Sequence, residues 1–234
     1  MKRPTSGKKA IRKRILLAPS ILAADQSKLA FEAKRTARSG ADILHVDVMD
    51  GKFAPRKNYG VGTVKLLSKA TAMPLDVHLM IATPWLVVED YAKAGAASIC
   101  VHVEAGTEAQ LLHTIALIHK HGCGAGIAIV PATPASKVTN KLLAACDYLL
   151  PMTVVPGYSG QSFMPRVLPK IIQLQKRLRV LGLKKTFMAD GGVNSKTAPL
   201  LARAGVTVFV AGAAAYGAPS LPAAIKLLRR TASR

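Results

Sequence analysis

The sequence predicts an α/β protein folded as a single closed (β/α)8 barrel. Two observations carry that expectation: eight short apolar runs alternate with amphipathic stretches, and glycine repeatedly follows the amphipathic stretches. Apolar runs of this length, alternating with helical stretches, read as strands of a parallel sheet covered by helices. Eight of them favour closure into a barrel over an open doubly wound sheet. No G-x-G-x-x-G follows the first run, which argues against a dinucleotide-binding fold. The 234 residues, 50% of them hydrophobic, suit one barrel domain.

Strands are expected at 15–22, 43–48, 75–80, 97–103, 126–130, 148–153, 186–190 and 206–211. Helices are expected at 28–39, 84–94, 108–121, 135–145, 164–181, 195–204 and 221–230; the link at 62–69 has the weakest helical pattern. Gly40, Gly95, Gly122, Gly182 and Gly205 each follow a helical stretch, where a left-handed C-cap needs glycine. No Pro/Gly/Ser-rich linker divides the chain. Residues 1–14 form a short basic N-terminal tail with seven Lys or Arg and no acid, expected to be disordered, and 15–234 form the barrel.

Lys and Arg total 33 against 12 Asp and Glu, a net charge of +21. That excess favours anionic partners, phosphorylated metabolites first, with nucleic-acid contact through the tail as the minor reading. No apolar run approaches the roughly 18–20 residues that span a bilayer, and the basic start lacks a secretory apolar region. A cytoplasmic protein with no membrane partner is therefore expected. Cys100, Cys123 and Cys146 show no C-x-x-C spacing and read as buried free thiols.

The run ILHVDVMDG places titratable groups inside an apparently buried strand, which is costly unless they are paired, ligated or used. Strand alternation puts His45, Asp47 and Met49 on one face and Asp50 on the other, where capping or a salt bridge is expected. In PLDVHLM, Asp76, His78 and Met80 share a face, and TFMADGG ends on Asp190. All these segments end at the rim where barrel active sites lie, so His45, Asp47, His78 and Asp190 converge there. Two imidazoles and two carboxylates suit one divalent ion, with zinc, iron(II), manganese and cobalt all compatible. Paired carboxylates beside such an ion suit acid–base inversion of a carbon next to a carbonyl. His102, His113, His119 and His121 carry no comparable pattern and are read as structural or exposed.

Met49, Met80 and Met152, all at strand ends, would give the site a polarisable, water-poor wall. VPGYSGQSF, DGGV and VAGAAAYG follow the last three strands, where barrel enzymes commonly hold phosphate through backbone N–H groups. No strand end carries the Lys that a Schiff-base aldolase or decarboxylase would use, since Lys185 lies at the opposite end of its strand.

These motifs, together with LLAPSILAAD, DYAKAGAASICVHVEA, PATP and MTVVPGYSGQSFMP, resemble the ribulose-phosphate 3-epimerase family, over about residues 15–228. The resemblance implies a TIM barrel of the ribulose-phosphate-binding type, usually a homo-oligomer. It implies interconversion of D-ribulose 5-phosphate and D-xylulose 5-phosphate, a pentose phosphate pathway step. By the same resemblance His45, Asp47, His78 and Asp190 hold the metal, and Asp47 and Asp190 are the acid–base pair. Ser20 matches the substrate-contacting serine, with His78, Met49, Met80 and Met152 also facing substrate. The loop Gly157–Gly160, through Tyr158 and Ser159, with Gly191, Gly192 and Gly212 matches the phosphate site, and Ala213 holds the position after its last glycine. Departures fall at Ala213 (usually Ser), Ser159 (usually Gly), Val155 (usually Asn or Glu), Val130 (usually Asn) and Arg56-Lys57-Asn58. They leave another ketose phosphate, such as D-allulose 6-phosphate, as the alternative substrate.

Overall fold

The computed structural model describes residues 14–233. Most of the expected tail therefore lies outside the described residues; Arg14, its last residue, reaches Asp42 at 3.5 Å. Eight parallel strands form the barrel: β1 (Leu16–Pro19), β2 (Leu44–Met49), β3 (Leu75–Met80), β4 (Ser98–His102), β5 (Gly124–Ile129), β6 (Tyr148–Pro151), β7 (Thr186–Asp190) and β8 (Val208–Ala211). Each of β2 to β7 pairs with the next, and β1 pairs with β8. The ring closes where Ile43 N donates to Leu17 O and Ser20 bridges to His45.

Alternation along each strand divides the interior in two. Val46, Val48, Val77, Leu79, Ile99, Val101, Ile127 and Phe209 point outward into the core shared with the helices. Inside the barrel, Ala18, Cys100, Ala128, Leu150, Met152, Met188 and Val210 make a second, smaller core. The inward positions of β2, β3 and β4, apart from Met49, Met80 and Cys100, are instead polar: His45, Asp47, Asp76, His78 and His102 are all buried there. The lumen is thus apolar on the β6–β8 side and ionisable on the β2–β4 side.

Nine helices cover the described barrel: α1 (Leu29–Ala37), α2 (Val61–Ala70), α3 (Val88–Lys93), α4 (Glu108–Lys120), α5 (Asn140–Ala145), α6 (Leu168–Val180), α7 (Ala198–Arg203), α8 (Ala213–Tyr216) and α9 (Leu221–Ala232). The weakly patterned link after β2 is a full helix, α2, anchored by buried Val64 and Leu67. The stretches expected to be helical from 84 and 135 begin instead as 3-10 turns, Pro84–Leu86 and Ala135–Lys137. Strand 1 is shorter than its apolar run, because the Ser20 side chain accepts from Leu22 N and turns the chain into a 3-10 turn. All five glycines expected as C-caps have positive φ. The three cysteines are free and buried. Among the described residues no helix is long and apolar enough to cross a membrane.

Candidate active site

Register builds the site. His45 lies directly opposite Asp76 on β3, and Asp47 directly opposite His78. His45 Nδ1 is 2.8 Å from Asp76 Oδ2, whose other oxygen accepts from Ser98 Oγ and Tyr148 OH, each at 2.5 Å. With Nδ1 donating to that carboxylate, His45 Nε2 keeps its lone pair for the lumen. That nitrogen lies 3.3 Å from Asp47 Oδ1, and His78 Nδ1 lies 3.3 Å from the same oxygen. Asp190 Oδ2 is 3.9 Å from His78 Nδ1. The other oxygen of Asp47 accepts from Ser20 Oγ at 2.5 Å. Asp190 is held from behind: its carbonyl accepts from Thr153 N at 2.7 Å and Thr153 Oγ1 at 2.8 Å.

One donor atom from each of His45, Asp47, His78 and Asp190 lies within 4.8 Å of the other three. Three of the atoms that meet there, His45 Nε2, Asp47 Oδ1 and His78 Nδ1, are buried with no hydrogen-bond partner. A buried polar atom left unsatisfied costs roughly 1–3 kcal/mol, so three at one point need a common partner. Two imidazole nitrogens and two carboxylate oxygens fit a divalent transition-metal ion.

The two carboxylates are driven apart in acidity. Burial raises Asp47, but the His45 and His78 imidazoles outweigh it and hold the carboxyl below its ordinary range. Asp190 is pushed up to about 7, by burial first and then by the charge of Asp47. Burial lowers His45, yet Asp47 and Asp76 together raise it well above the usual histidine value. Burial brings His102 down to about 4.

Above these groups opens a cleft of about 280 Å³. Ser20, Asp47, Met49, Met80, Met152 and Asp190 line its floor and walls, with Gly157, Tyr158, Ser159, Gly160, Gly191, Gly192, Gly212 and Ala213 on the β6–β8 side. The expected site residues that do not line it are His45 and His78, fully buried against Asp47. Gly191 (φ 111°) and Gly192 (φ 62°) need their glycines, since a Cβ would stand 2.4 Å from Val154 Cγ2 and 2.5 Å from Phe163 N. Ala213 opens α8 directly after Gly212, so the expected glycine turn contains a turn of helix. Val155, Ser159 and Ala213 line the cleft, whereas Val130 does not.

Sequence reasoning overlooked several supports. Asp76 shares His78's face, but its place opposite His45 depends on inter-strand register. His102 does have a partner pattern: its Nε2 is 2.9 Å from His78 Nε2 and its Nδ1 is 3.1 Å from Glu104 Oε2. The signal was the HVE spacing at the end of β4. Asn58 braces the rim, accepting from Met49 N at 2.7 Å and donating to Asp47 O at 2.8 Å. Asp50 caps its own loop, accepting from Lys52 N and Phe53 N, as its outward face predicts, and ties it to the segment after β3 by accepting from Ala82 N.

The fold and the site define a barrel enzyme in which two carboxylates of divergent acidity share a metal-competent pocket at the C-terminal rim. The family model described as the Ribulose-phosphate 3 epimerase family matches residues 16–216. The Ribulose-phosphate 3-epimerase of Synechocystis sp. is 42% identical over 219 residues, 94% of this chain and 95% of that protein. That of Bacillus subtilis is 43% identical over 216 residues, 92% and 98% of the two chains. The structure of 3-hexulose-6-phosphate synthase from Salmonella typhimurium superimposes with a TM-score of 0.69 at 15% identity, covering 93% of this chain and 98% of that one, a likeness of fold alone. The chain belongs to the ribulose-phosphate 3-epimerase family and is an epimerase, an isomerase.

Proposed function

We propose that this enzyme inverts C3 of D-ribulose 5-phosphate to give D-xylulose 5-phosphate, with Asp47 and Asp190 as the acid–base pair. The observation that carries this reading is the convergence of three unpartnered buried donor atoms between two carboxylates of opposite pKa shift. Pairs of titratable groups pushed apart by their surroundings suit complementary acid and base roles. His45, Asp47, His78 and Asp190 would hold one ion of the zinc, iron(II), manganese or cobalt type. Such an ion supplies Lewis-acid stabilisation of the negative charge that develops on substrate oxygens.

In this reading one carboxylate takes the C3 proton from one face of the substrate while the other returns a proton to the opposite face. The roles exchange when the reaction runs backward. Ser20 holds Asp47 by its Oδ2 and so keeps the carboxylate oriented. Met49, Met80 and Met152, each about 2% exposed, keep the reacting carbon away from bulk water. Backbone N–H groups of the segments around Gly157–Gly160, Gly191–Gly192 and Gly212–Ala213 receive the phosphate. Ala213 offers no hydroxyl there, so main-chain donors carry that contact.

The test is conversion of D-ribulose 5-phosphate by metal-loaded and chelator-stripped protein side by side. Turnover that disappears on stripping and returns with a divalent ion supports substrate, reaction and metal together. A folded, loaded protein that leaves this substrate untouched would move the assignment to another ketose phosphate such as D-allulose 6-phosphate.

A further inference from the structure

We propose that Glu104 is a positioning residue for the metal pocket: acting through His102, it sets which nitrogen of His78 presents a lone pair to the ion. The proposal rests on the metal reading above and adds a residue that lies outside the four-residue donor cluster. Its basis is a chain of three side chains. Glu104 Oε2 is 3.1 Å from His102 Nδ1, and His102 Nε2 is 2.9 Å from His78 Nε2. His78 Nδ1, at the far end of that ring, is the unpartnered atom facing Asp47 and Asp190.

Proton counting along this chain has one solution. A carboxylate only accepts, so His102 Nδ1 must carry hydrogen. Two facing imidazole nitrogens at 2.9 Å share a single proton. With one proton on each ring, His102 Nε2 then accepts, His78 Nε2 donates, and His78 Nδ1 is left with its lone pair aimed into the pocket. Reversing the order would place a hydrogen on His78 Nδ1 and remove a ligand. The far end of the chain is anchored, because Glu104 Oε1 accepts from Val130 N at 3.0 Å. His78 and His102 are fully buried, so no solvent hydrogen bond competes to set either ring. On the other side of the site, Asp76 orients His45 by the same logic in a single step. The two imidazoles are therefore set by two different carboxylates, one adjacent and one relayed.

The experiment uses the full-length protein loaded with zinc, nitrogen-15 labelled at histidine, and long-range proton–nitrogen correlations that report ring tautomers. The expected spectrum shows His102 as the Nδ1–H form and His78 as the Nε2–H form with Nδ1 on zinc. Zinc affinity is measured in parallel by competition with a chelator. Glu104→Gln, nearly isosteric but able to donate as well as accept, is expected to weaken zinc binding about 10–100-fold and to mix the His102 tautomers. A variant that had only loosened the rim would leave the His102 tautomer as in the parent protein. An Nε2–H form of His102 in the unmutated protein would overturn the relay without any variant being made. So would unchanged zinc affinity and tautomers in Glu104→Gln. Failure of the unmutated protein to bind zinc, iron(II), manganese or cobalt would instead sink the metal reading, and this proposal with it.

Discussion

Ser20 Oγ donates to Oδ2 of Asp47 at 2.5 Å, while Oδ1 of the same carboxylate stands 3.3 Å from both His45 Nε2 and His78 Nδ1. One oxygen is thus tethered and the other left free for the pocket. Ser20 comes from the turn after β1 and Asp47 from β2, so the tether joins the two sides of the barrel seam. A hydrogen bond to a charged group is worth about 1.5–3 kcal/mol. Ser20→Ala is expected to lower kcat roughly tenfold or more, read from steady-state epimerisation, with the fold unchanged by circular dichroism.

Removing either carboxylate should cost far more. General acid–base groups contribute on the order of 10²–10⁴-fold, and each of these also belongs to the metal-competent cluster. Asp47→Asn and Asp190→Asn are each expected to lose at least a hundredfold in turnover while remaining folded. Near-parental activity in either variant would refute the two-carboxylate mechanism.

Metal affinity should rise with pH across the neutral range. Burial and the Asp47 charge push Asp190 up to about 7, and the carboxylates around His45 keep its proton bound above the usual histidine pH. A ligand must shed its proton to bind a cation, so at lower pH the ion competes with protons at both groups. Between pH 6 and pH 8 the apparent zinc dissociation constant is expected to fall by about tenfold or more, with protons released on binding. Calorimetry in buffers of different ionisation enthalpy would read both quantities, and a flat profile would contradict the acidities assigned here.

Gly192 offers a test of the phosphate segment. Its φ of 62° is left-handed, and an added Cβ would meet Phe163 backbone atoms at 2.5 and 2.7 Å. Neither backbone can yield cheaply. Gly192→Ala is expected to destabilise the protein by roughly 1–3 kcal/mol, seen as a lower Tm, and to raise KM for the sugar phosphate more than it lowers kcat. The reverse split would detach this glycine from substrate binding.

What was legible in the sequence is what depends on one strand at a time. His45, Asp47 and His78 fall on inward faces by alternation alone, and Asp190 falls on a strand end by position. Asp76 and Glu104 escaped because their roles exist only after strands are paired. Asp76 acts by lying opposite His45, with Ser98 and Tyr148 arriving from β4 and β6. Glu104 acts through a neighbouring ring. The end of strand 1 was overrun because Ile21 and Leu22 prolong the apolar run, while a side-chain hydroxyl bends the chain at Ser20. The helix at Ala213–Tyr216 was hidden because flanking glycines signal a turn more strongly than three alanines signal a helix.

The ladder of the barrel does not stop where the strands do. Ser20 bridges to His45 and donates its N–H to Ala211 O, and Met152 bridges to Asp190. The main chain at His45 and Asp190 is therefore held by neighbours on both sides, and the thinly laddered junction among the described strands is the β1–β2 seam. Local opening needs a weakly held boundary at which to begin, and at this floor the Ser20–Asp47 hydrogen bond pins the seam. Thermal inactivation should thus coincide with global unfolding, with no folded but catalytically slack population preceding it. The exposed rim residues Val155, Tyr158 and Ser159 can meanwhile vary in sequence without loosening the floor, which Met152 and Thr153 hold. In such a frame, what is bound and what is done to it can drift independently.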